Sequence, residues 1–249
     1  MRMIKVGIIG GSGLDDPEIL KDAREVIIET SFGAPSPITM GNISGVEVAL
    51  FARHGRQHTI PPTQVNNRAN ICAMKDLGCT HILATTAVGS LREEIGRGDL
   101  VIPDQFIDFT RRRHLTFYDK FEPHSAAHTA MPEPFNEHLR KALIASAGEL
   151  SLRFHPKGTV LTIEGPRFST RAESRMYRNW GADVVNMSTA PEVILANEAS
   201  IPYATVAMST DYDAWKDDEE PVSWDAIVQI FSENVEKVVS LLLKTIPRI

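Results

Sequence analysis

The sequence predicts an α/β fold: one domain over residues 1–249, with a mixed, mostly parallel central sheet flanked by helices. Three observations carry this. Short apolar runs of strand length alternate with stretches of helical spacing along the whole chain. No Pro/Gly/Ser-rich linker, internal repeat or low-complexity segment divides it. The composition, 43% hydrophobic and 23% charged, is that of an ordinary globular protein able to bury a sizeable core.

Taken in order, Ile4–Ile9 reads as a strand and Gly10-Gly11-Ser12-Gly13 as a tight turn. Hairpin-like strands follow around Thr39–Ile43 and Val46–Phe51. Arg53–His58 is a polar loop closed by Pro61-Pro62. Val65–Leu77 has helical spacing (Ala69, Cys72, Ala73, Leu77), with Gly78 as its C-cap. His81–Thr86 is a strand, and Val88-Gly89-Ser90 a turn after it. Leu100–Ile102 and Phe106–Phe109 are strands. Arg111–His128 is irregular, and a loop of that length suggests function. Glu133–Leu150 is an amphipathic helix, Gly158–Ile163 a strand, Ala172–Trp180 a short helix, Ala182–Asn186 a strand and Pro191–Ala199 a helix. Pro202–Met208 is a buried strand, and Trp224–Thr245 the last amphipathic helix.

Charge and cysteine usage exclude several classes. The net charge of −6 disfavours a general nucleic-acid binder, which needs a basic face. Cys72 and Cys79 lack CxxC spacing, which fits reduced thiols in a cytoplasmic protein better than a disulfide or zinc site. No signal peptide is visible, and no run of about 18 apolar residues offers a membrane span. On the cytoplasmic reading, the glycosylation-like triplets at Asn42 and Asn186 are coincidental.

Four clusters and one acidic pair carry candidate chemistry. The turn Gly10–Gly13 is either a plain turn or an oxyanion cradle with Ser12 donating. It is not a dinucleotide fingerprint, because position 16 is Asp, nor a Walker A loop, because no Gly-Lys-Ser/Thr follows. Arg53, His54, Arg56 and His58 share one loop. They form an anion clamp in which histidine adds a donor, a weak metal pair at His54 and His58, or a solvated basic loop. Thr85-Thr86-Ala87 could add hydroxyl donors to the same anion. In Asn186-Met187-Ser188-Thr189, the methionine either fills the core or offers a soft surface to a sugar face or thioether. Asp211 and Asp213 stand just past the Pro202–Met208 strand, where open α/β sheets place ligands. As carboxylates they accept from an exocyclic amine, and one of them, protonated, can give a proton to a leaving nitrogen. The competing reading is a solvated acidic loop, since Asp217-Asp218-Glu219-Glu220 follow.

The longer motifs resemble the trimeric purine nucleoside phosphorylase family, in its methylthioadenosine branch, nearly end to end. They run from Gly7–Pro17 through Ala52–Thr59, Gly89–Ile95, Asp104–Asp108, Thr162–Ser169, Arg171–Ser174, Trp180–Asp183 and Thr210–Asp213 to Thr245–Pro247. The resemblance implies a nucleoside phosphorylase fold and phosphorolysis of S-methyl-5′-thioadenosine to adenine and 5-methylthioribose 1-phosphate. A broader purine nucleoside phosphorylase acting on adenosine or inosine is the alternative, and a catalytically silent nucleoside binder on the same fold is a rival of another class. It implies a phosphate site at Ser12, Arg53, His54, Thr86, Ala87 and Ser188. It places the nucleoside against Phe168, Ser169, Met187, Asp211, Asp213, Val222, Trp224 and Ile227, with His128 reaching a neighbouring subunit's 5′ pocket. Asp211 is then the acid and Asp213 its partner. The resemblance also implies a homotrimer with no metal or organic cofactor, inorganic phosphate being the co-substrate. Animal relatives continue beyond the position of Ile249 with a segment that helps cover the 5′ pocket. Trp224, where relatives have a smaller apolar residue, either replaces that cover or narrows the pocket.

Overall fold

The computed structural model describes residues 3–11, 19–219 and 223–249. Ser12, most of the turn it belongs to, and Val222 therefore lie outside the described residues. The elements are β1 (Lys5–Gly10), β2 (Lys21–Val26), β3 (Ile38–Ile43), β4 (Val46–Ala52), α1 (Asn67–Asp76), β5 (His81–Ser90), β6 (Leu100–Val101) and β7 (Gln105–Phe109). They continue with α2 (Glu137–Glu149), β8 (Phe154–His155), β9 (Thr159–Ile163), α3 (Arg171–Asn179), β10 (Val184–Asn186), α4 (Thr189–Glu198), β11 (Tyr203–Asp211) and α5 (Trp224–Thr245).

All 11 of these strands join one sheet, along the path β2-β3-β4-β1-β5-β10-β9-β7, with β11 on β5, β6 on β11 and β8 on β6. The pairs β1–β4, β1–β5, β9–β10, β5–β11, β6–β8 and β7–β9 are parallel, while β2–β3, β3–β4, β5–β10 and β6–β11 are antiparallel. The expected mixed, mostly parallel sheet is therefore present.

Alternate residues of the central strands serve opposite faces. Ile9, Ile82, Ala84 and Tyr203 pack with α1 and α4 through Ile71, Met74, Val193 and Leu195. Val6, Ile8, Leu83, Ala204 and Val206 pack with α2 and α5 through Leu139, Leu143, Val238 and Leu242. A third cluster sets Tyr177 of α3 against Leu161 of β9 and Val185 of β10.

The helices start where side chains satisfy their first N–H groups. Asn66 caps α1, Asn136 caps α2, Ser223 caps α5, and Thr170 with Glu173 forms a capping box on α3. Gly78, expected as the C-cap of α1, follows the observed cap Leu77 at φ +77°. α4 is different: its N-cap, Ser188, makes no side-chain cap bond.

Three sequence expectations need correction. Val88-Gly89-Ser90 is not a turn but the end of β5. β11 runs past Met208 to Asp211, so the first aspartate sits on the strand itself. The helix expected from Glu133 begins at Glu137, after the Asn136 cap.

Candidate active site

β5 carries β11 along one edge from Ile82 to Gly89. Its other edge changes partner: the β1 ladder ends at Ala84, and the β10 ladder begins at Gly89. Thr85–Val88 are left between two neighbours, at the carboxyl ends of the parallel strands. This is a topological switch point, where open α/β sheets bind ligands. A pocket opens there, with Thr86, Ala87, Val88 and Gly89 on its wall.

One end of the pocket is built for an anion. Arg53 follows β4, and its backbone N–H bonds Gly10 O at 3.2 Å. Its side chain is 2% exposed. Nε donates to Glu192 Oε1, Nη2 to Glu192 Oε2 at 3.1 Å, and Nη1 to Thr85 O at 3.0 Å. Tyr203 OH donates to the same Glu192 at 2.9 Å. Burial alone would lower the guanidinium pKa, but Glu192 outweighs it and the group is held charged. Of five guanidinium N–H groups, these bonds use three among the described residues. Gly11 lies against this cluster: a Cβ there would sit 2.9 Å from Thr85 O and 3.0 Å from Arg53 Nη1.

Asn186, at the end of β10, organises the hydroxyls. Its Nδ2 donates to Thr86 Oγ1 at 3.2 Å and to Thr189 Oγ1 at 2.6 Å, and its Oδ1 accepts from Thr162 Oγ1 at 2.9 Å. The hydroxyl that Ser188 does not use for capping lies 3.2 Å from Thr86 Oγ1. Ser188 and Thr86 thus meet at the N-terminus of α4, where the helix dipole favours negative charge.

His54 also lines this end. Its Nδ1 lies 2.8 Å from Ile60 O, and a carbonyl only accepts, so Nδ1 carries the proton. Burial first, and then the charge of Arg53, push its pKa down to about 4. At neutral pH the ring is neutral and Nε2 is an acceptor, not the extra donor that the loop composition suggests. The rings of His54 and His58 meet at 4.6 Å, tilted by 34°, and those of His58 and Trp224 at 4.6 Å, tilted by 37°. Among the described residues, no group of His, Cys, Asp and Glu side chains is placed to hold a metal ion.

The opposite end is acidic. Between Ser209 and Asp211 the register of β11 on β5 slips, so that Ser209 faces Val88 and Asp211 faces Gly89. Such a bulge re-aims side chains, and Thr210 and Asp211 both line the pocket. Asp211 Oδ1 accepts from Asp213 N–H at 2.7 Å, and Oδ2 from the Thr210 hydroxyl at 2.8 Å. Gly89 is required here: a Cβ would lie 2.9 Å from Asp211 Oδ1. Burial dominates and pushes the Asp211 pKa up to about 6, against the pull of these bonds. Burial also raises the pKa of Asp213, which the hydroxyls of Ser174 and Ser169 pull back. Asp213 Oδ2, Ser169 Oγ and Ser174 Oγ are nevertheless buried without a hydrogen bond of regular geometry. The turn beyond is pinned by Trp215 Nε1, which donates to Ser90 O at 2.8 Å under the Arg178 guanidinium.

Between the ends the wall is apolar, from Phe168, Met187, Ile163, Val185, Trp224 and Ile227. Ser169 is set back from the pocket beside Asp213. His128 is exposed, set edge-on to Phe121 at 5.7 Å in the irregular segment, and is not part of this wall. Sequence reasoning missed Glu192, the bridging role of Asn186, Thr210 and Gly89. The available signal for Glu192 was a lone acid in the apolar start of α4, Thr189–Ala196.

Comparison with known proteins identifies the family. The model of the phosphorylase superfamily matches residues 5–246. The S-methyl-5′-thioadenosine phosphorylase of Xenopus tropicalis is 57% identical, over 99% of this chain and 89% of the relative. That of Hyperthermus butylicus is 50% identical, over 98% of this chain and 88% of the relative. The methylthioadenosine phosphorylase of Schistosoma mansoni, solved with adenine, superposes with a TM-score of 0.93 at 44% identity, covering 98% of this chain and 91% of the other. A mutant of the Schistosoma adenosine/methylthioadenosine phosphorylase, solved with methylthioadenosine, gives a TM-score of 0.92 at 42% identity, with the same coverage. By sequence and by fold, the chain belongs to the phosphorylase superfamily, in the family whose curated members are the S-methyl-5′-thioadenosine phosphorylases.

Proposed function

We propose that the chain catalyses phosphorolysis of S-methyl-5′-thioadenosine, a pentosyl transfer to phosphate that releases adenine and 5-methylthioribose 1-phosphate. The observation that carries this reading is the two-ended pocket: Arg53, Thr86 and Ser188 at one end, Asp211 and Asp213 at the other, and an apolar wall between. The names and ligands of the relatives support it.

Phosphate sits by Arg53, the Thr86 and Ser188 hydroxyls, Ala87 and the start of α4, to which the resemblance adds the Ser12 hydroxyl. The neutral His54 accepts the hydrogen of a protonated phosphate oxygen. A phosphate oxygen attacks C1′ as the bond to adenine breaks, and the anion stabilises the positive charge that develops on the sugar. The bond's electron pair goes to the base, and Asp211 gives its proton to N7. Asp211 suits that role because burial holds its proton to about pH 6, where a free aspartic acid has lost it. Asp213 accepts from the 6-amino group; a 6-oxo base would set oxygen against oxygen. Phe168 borders the base with Ser169 behind it beside Asp213, Met187 borders the sugar, and Trp224 and Ile227 flank the 5′ substituent, where the resemblance also puts Val222.

The assembly is a homotrimer, in which His128 of one subunit reaches the 5′ pocket of the next. Exposed Tyr118 and Phe121, each 43% accessible beside His128, support a covered face there. The reaction as written needs no metal or organic cofactor, and the free Cys72 and Cys79 suit a reducing cytoplasm. A second reading, activity on adenosine as well, is favoured by Trp224, which is 45% exposed at the pocket wall and leaves that side partly open.

The test is base release from methylthioadenosine, adenosine and inosine, each with and without phosphate. Phosphate-dependent cleavage led by methylthioadenosine is expected. Equal cleavage of adenosine supports the second reading, and preference for inosine or phosphate-independent cleavage overturns both.

A further inference from the structure

Thr210 is 3% exposed and is the residue skipped where β11 slips on β5. Its hydroxyl has one proton and two acceptors within reach: Asp211 Oδ2 at 2.8 Å and Val88 O at 3.3 Å. The first acceptor belongs to the acid of the reaction, the second to the strand beneath it. We propose that the Thr210 hydroxyl is a two-position donor that serves both protonation states of Asp211, donating to Oδ2 when the carboxyl is ionised and to the Val88 carbonyl when it is protonated. This deepens the reading of Asp211 as the acid and rests on it.

The geometry singles out Oδ2. Asp211 Oδ1 is fixed by the Asp213 N–H at 2.7 Å, a bond that does not need to change with protonation. A protonated Oδ2 is a poor acceptor, so the buried Thr210 hydroxyl needs another partner, and Val88 O supplies one by rotation about a single bond. When the Oδ2–H bond breaks, its electron pair stays on Oδ2 and the proton forms the N–H bond at N7. The Thr210 proton then swings back to the new carboxylate. The bond to Oδ2 therefore strengthens as the proton leaves, which favours the transition state over the ground state. Thr210 is a positioning residue in this scheme: it acts through Asp211.

The charged groups facing Asp211 are Asp213, from its own turn, and Arg97, from the segment between β5 and β6. Arg97 is paired with Glu219 and lies over the Tyr212 ring. None of these offers an alternative donor to Oδ2 among the described hydrogen bonds.

Carboxyl and carbonyl 13C NMR of the substrate-free protein tests the proposal, with Asp211 assigned through Asp211→Asn. In the wild type, the Val88 carbonyl resonance should titrate with the same midpoint as the Asp211 carboxyl. In Thr210→Val, the Asp211 midpoint should rise by about one pH unit, the shift expected from losing one hydrogen bond to a charged group. The Val88 response should vanish. Thr210→Ser, which keeps the hydroxyl, should restore both. A Val88 carbonyl that stays silent while wild-type Asp211 titrates overturns the proposal, and so does a Thr210→Ser variant that behaves like Thr210→Val. The wild-type and serine measurements decide even if the valine variant fails to fold. None depends on turnover, so failure of the base-release assay and failure of the two-position donor remain distinguishable.

Discussion

Arg53, buried, and Asp211, half-buried, are ionisable groups on the wall of one pocket, yet their surroundings treat them in opposite ways. Arg53 is given a full counter-charge: Glu192 binds two of its nitrogens and keeps it ionised despite burial. Asp211 is given none close enough to offset burial, and its pKa climbs to about 6. Around Arg53 the described polar groups are joined in a network, whereas around Asp213 three buried oxygens lack a regular bond. A group that only has to hold an anion gains from fixed compensation. A group that has to release a proton gains from its absence, because full compensation would ionise it before substrate arrives.

The largest expected effect breaks the acidic end. Asp211→Ala should lower kcat/KM for methylthioadenosine by roughly 10²–10⁴-fold, the usual worth of general acid catalysis. Near-normal turnover would remove Asp211 as the proton donor. Next comes the compensated end. Arg53→Ala leaves Glu192 buried without a counter-charge, so the denaturant midpoint should report a loss of about 3–5 kcal/mol, and phosphate KM should rise more than nucleoside KM. An unchanged midpoint, or equal loss of both substrates, would show that Arg53 does not anchor phosphate through a buried pair.

The third test sets the two ends against each other by pH. Asp211 has its folded pKa raised from 3.8 to about 6, so over that interval the folded state holds the extra proton and stability falls as pH rises. His54 has its folded pKa lowered from 6.5 to about 4, so the unfolded state holds the extra proton and stability rises with pH. Each contributes a slope of at most about 1.4 kcal/mol per pH unit, and in the wild type the two oppose each other. Urea unfolding between about pH 4 and 6 should show stability rising more steeply with pH in Asp211→Asn than in the wild type. It should fall more steeply in His54→Gln. Slopes that do not separate in these directions would mean that the burial of the two groups does not govern their charge. The smallest effect is on selectivity. Asp213→Asn should cut the preference for 6-amino over 6-oxo bases by about 1–3 kcal/mol, or roughly 5–150-fold. Competition between adenosine and inosine measures it, and an unchanged ratio would detach Asp213 from base recognition.

Strands buried on both sides, such as β1 and β11, were legible as apolar runs, and the capped helices as periodic ones. β2 was not, because Lys21–Glu25 is exposed and polar and carries no alternation to read. β8 is two residues long, too short for any pattern. The end of β5 was misread because Val88-Gly89-Ser90 has the composition of a turn. Gly89 stands in the strand because Asp211, 122 residues later, lies where its side chain would be. The same distance problem hid Glu192, which meets Arg53 across 139 residues of sequence. Side chains announced by local motifs (Arg53, Thr86, Ser188, Asp211) line the pocket, and those defined only by a partner brought in by the fold leave no local signal.

The contacting rings of His54, His58 and Trp224 have a practical consequence. They run from the loop that holds Arg53 to the first residue of α5, ending in a half-exposed indole. An anion settling beside Arg53 changes the electric field along that column, and indole emission follows the local field. Trp224 is thus placed to sense occupancy of the anion end through its share of the emission from the chain's three tryptophans.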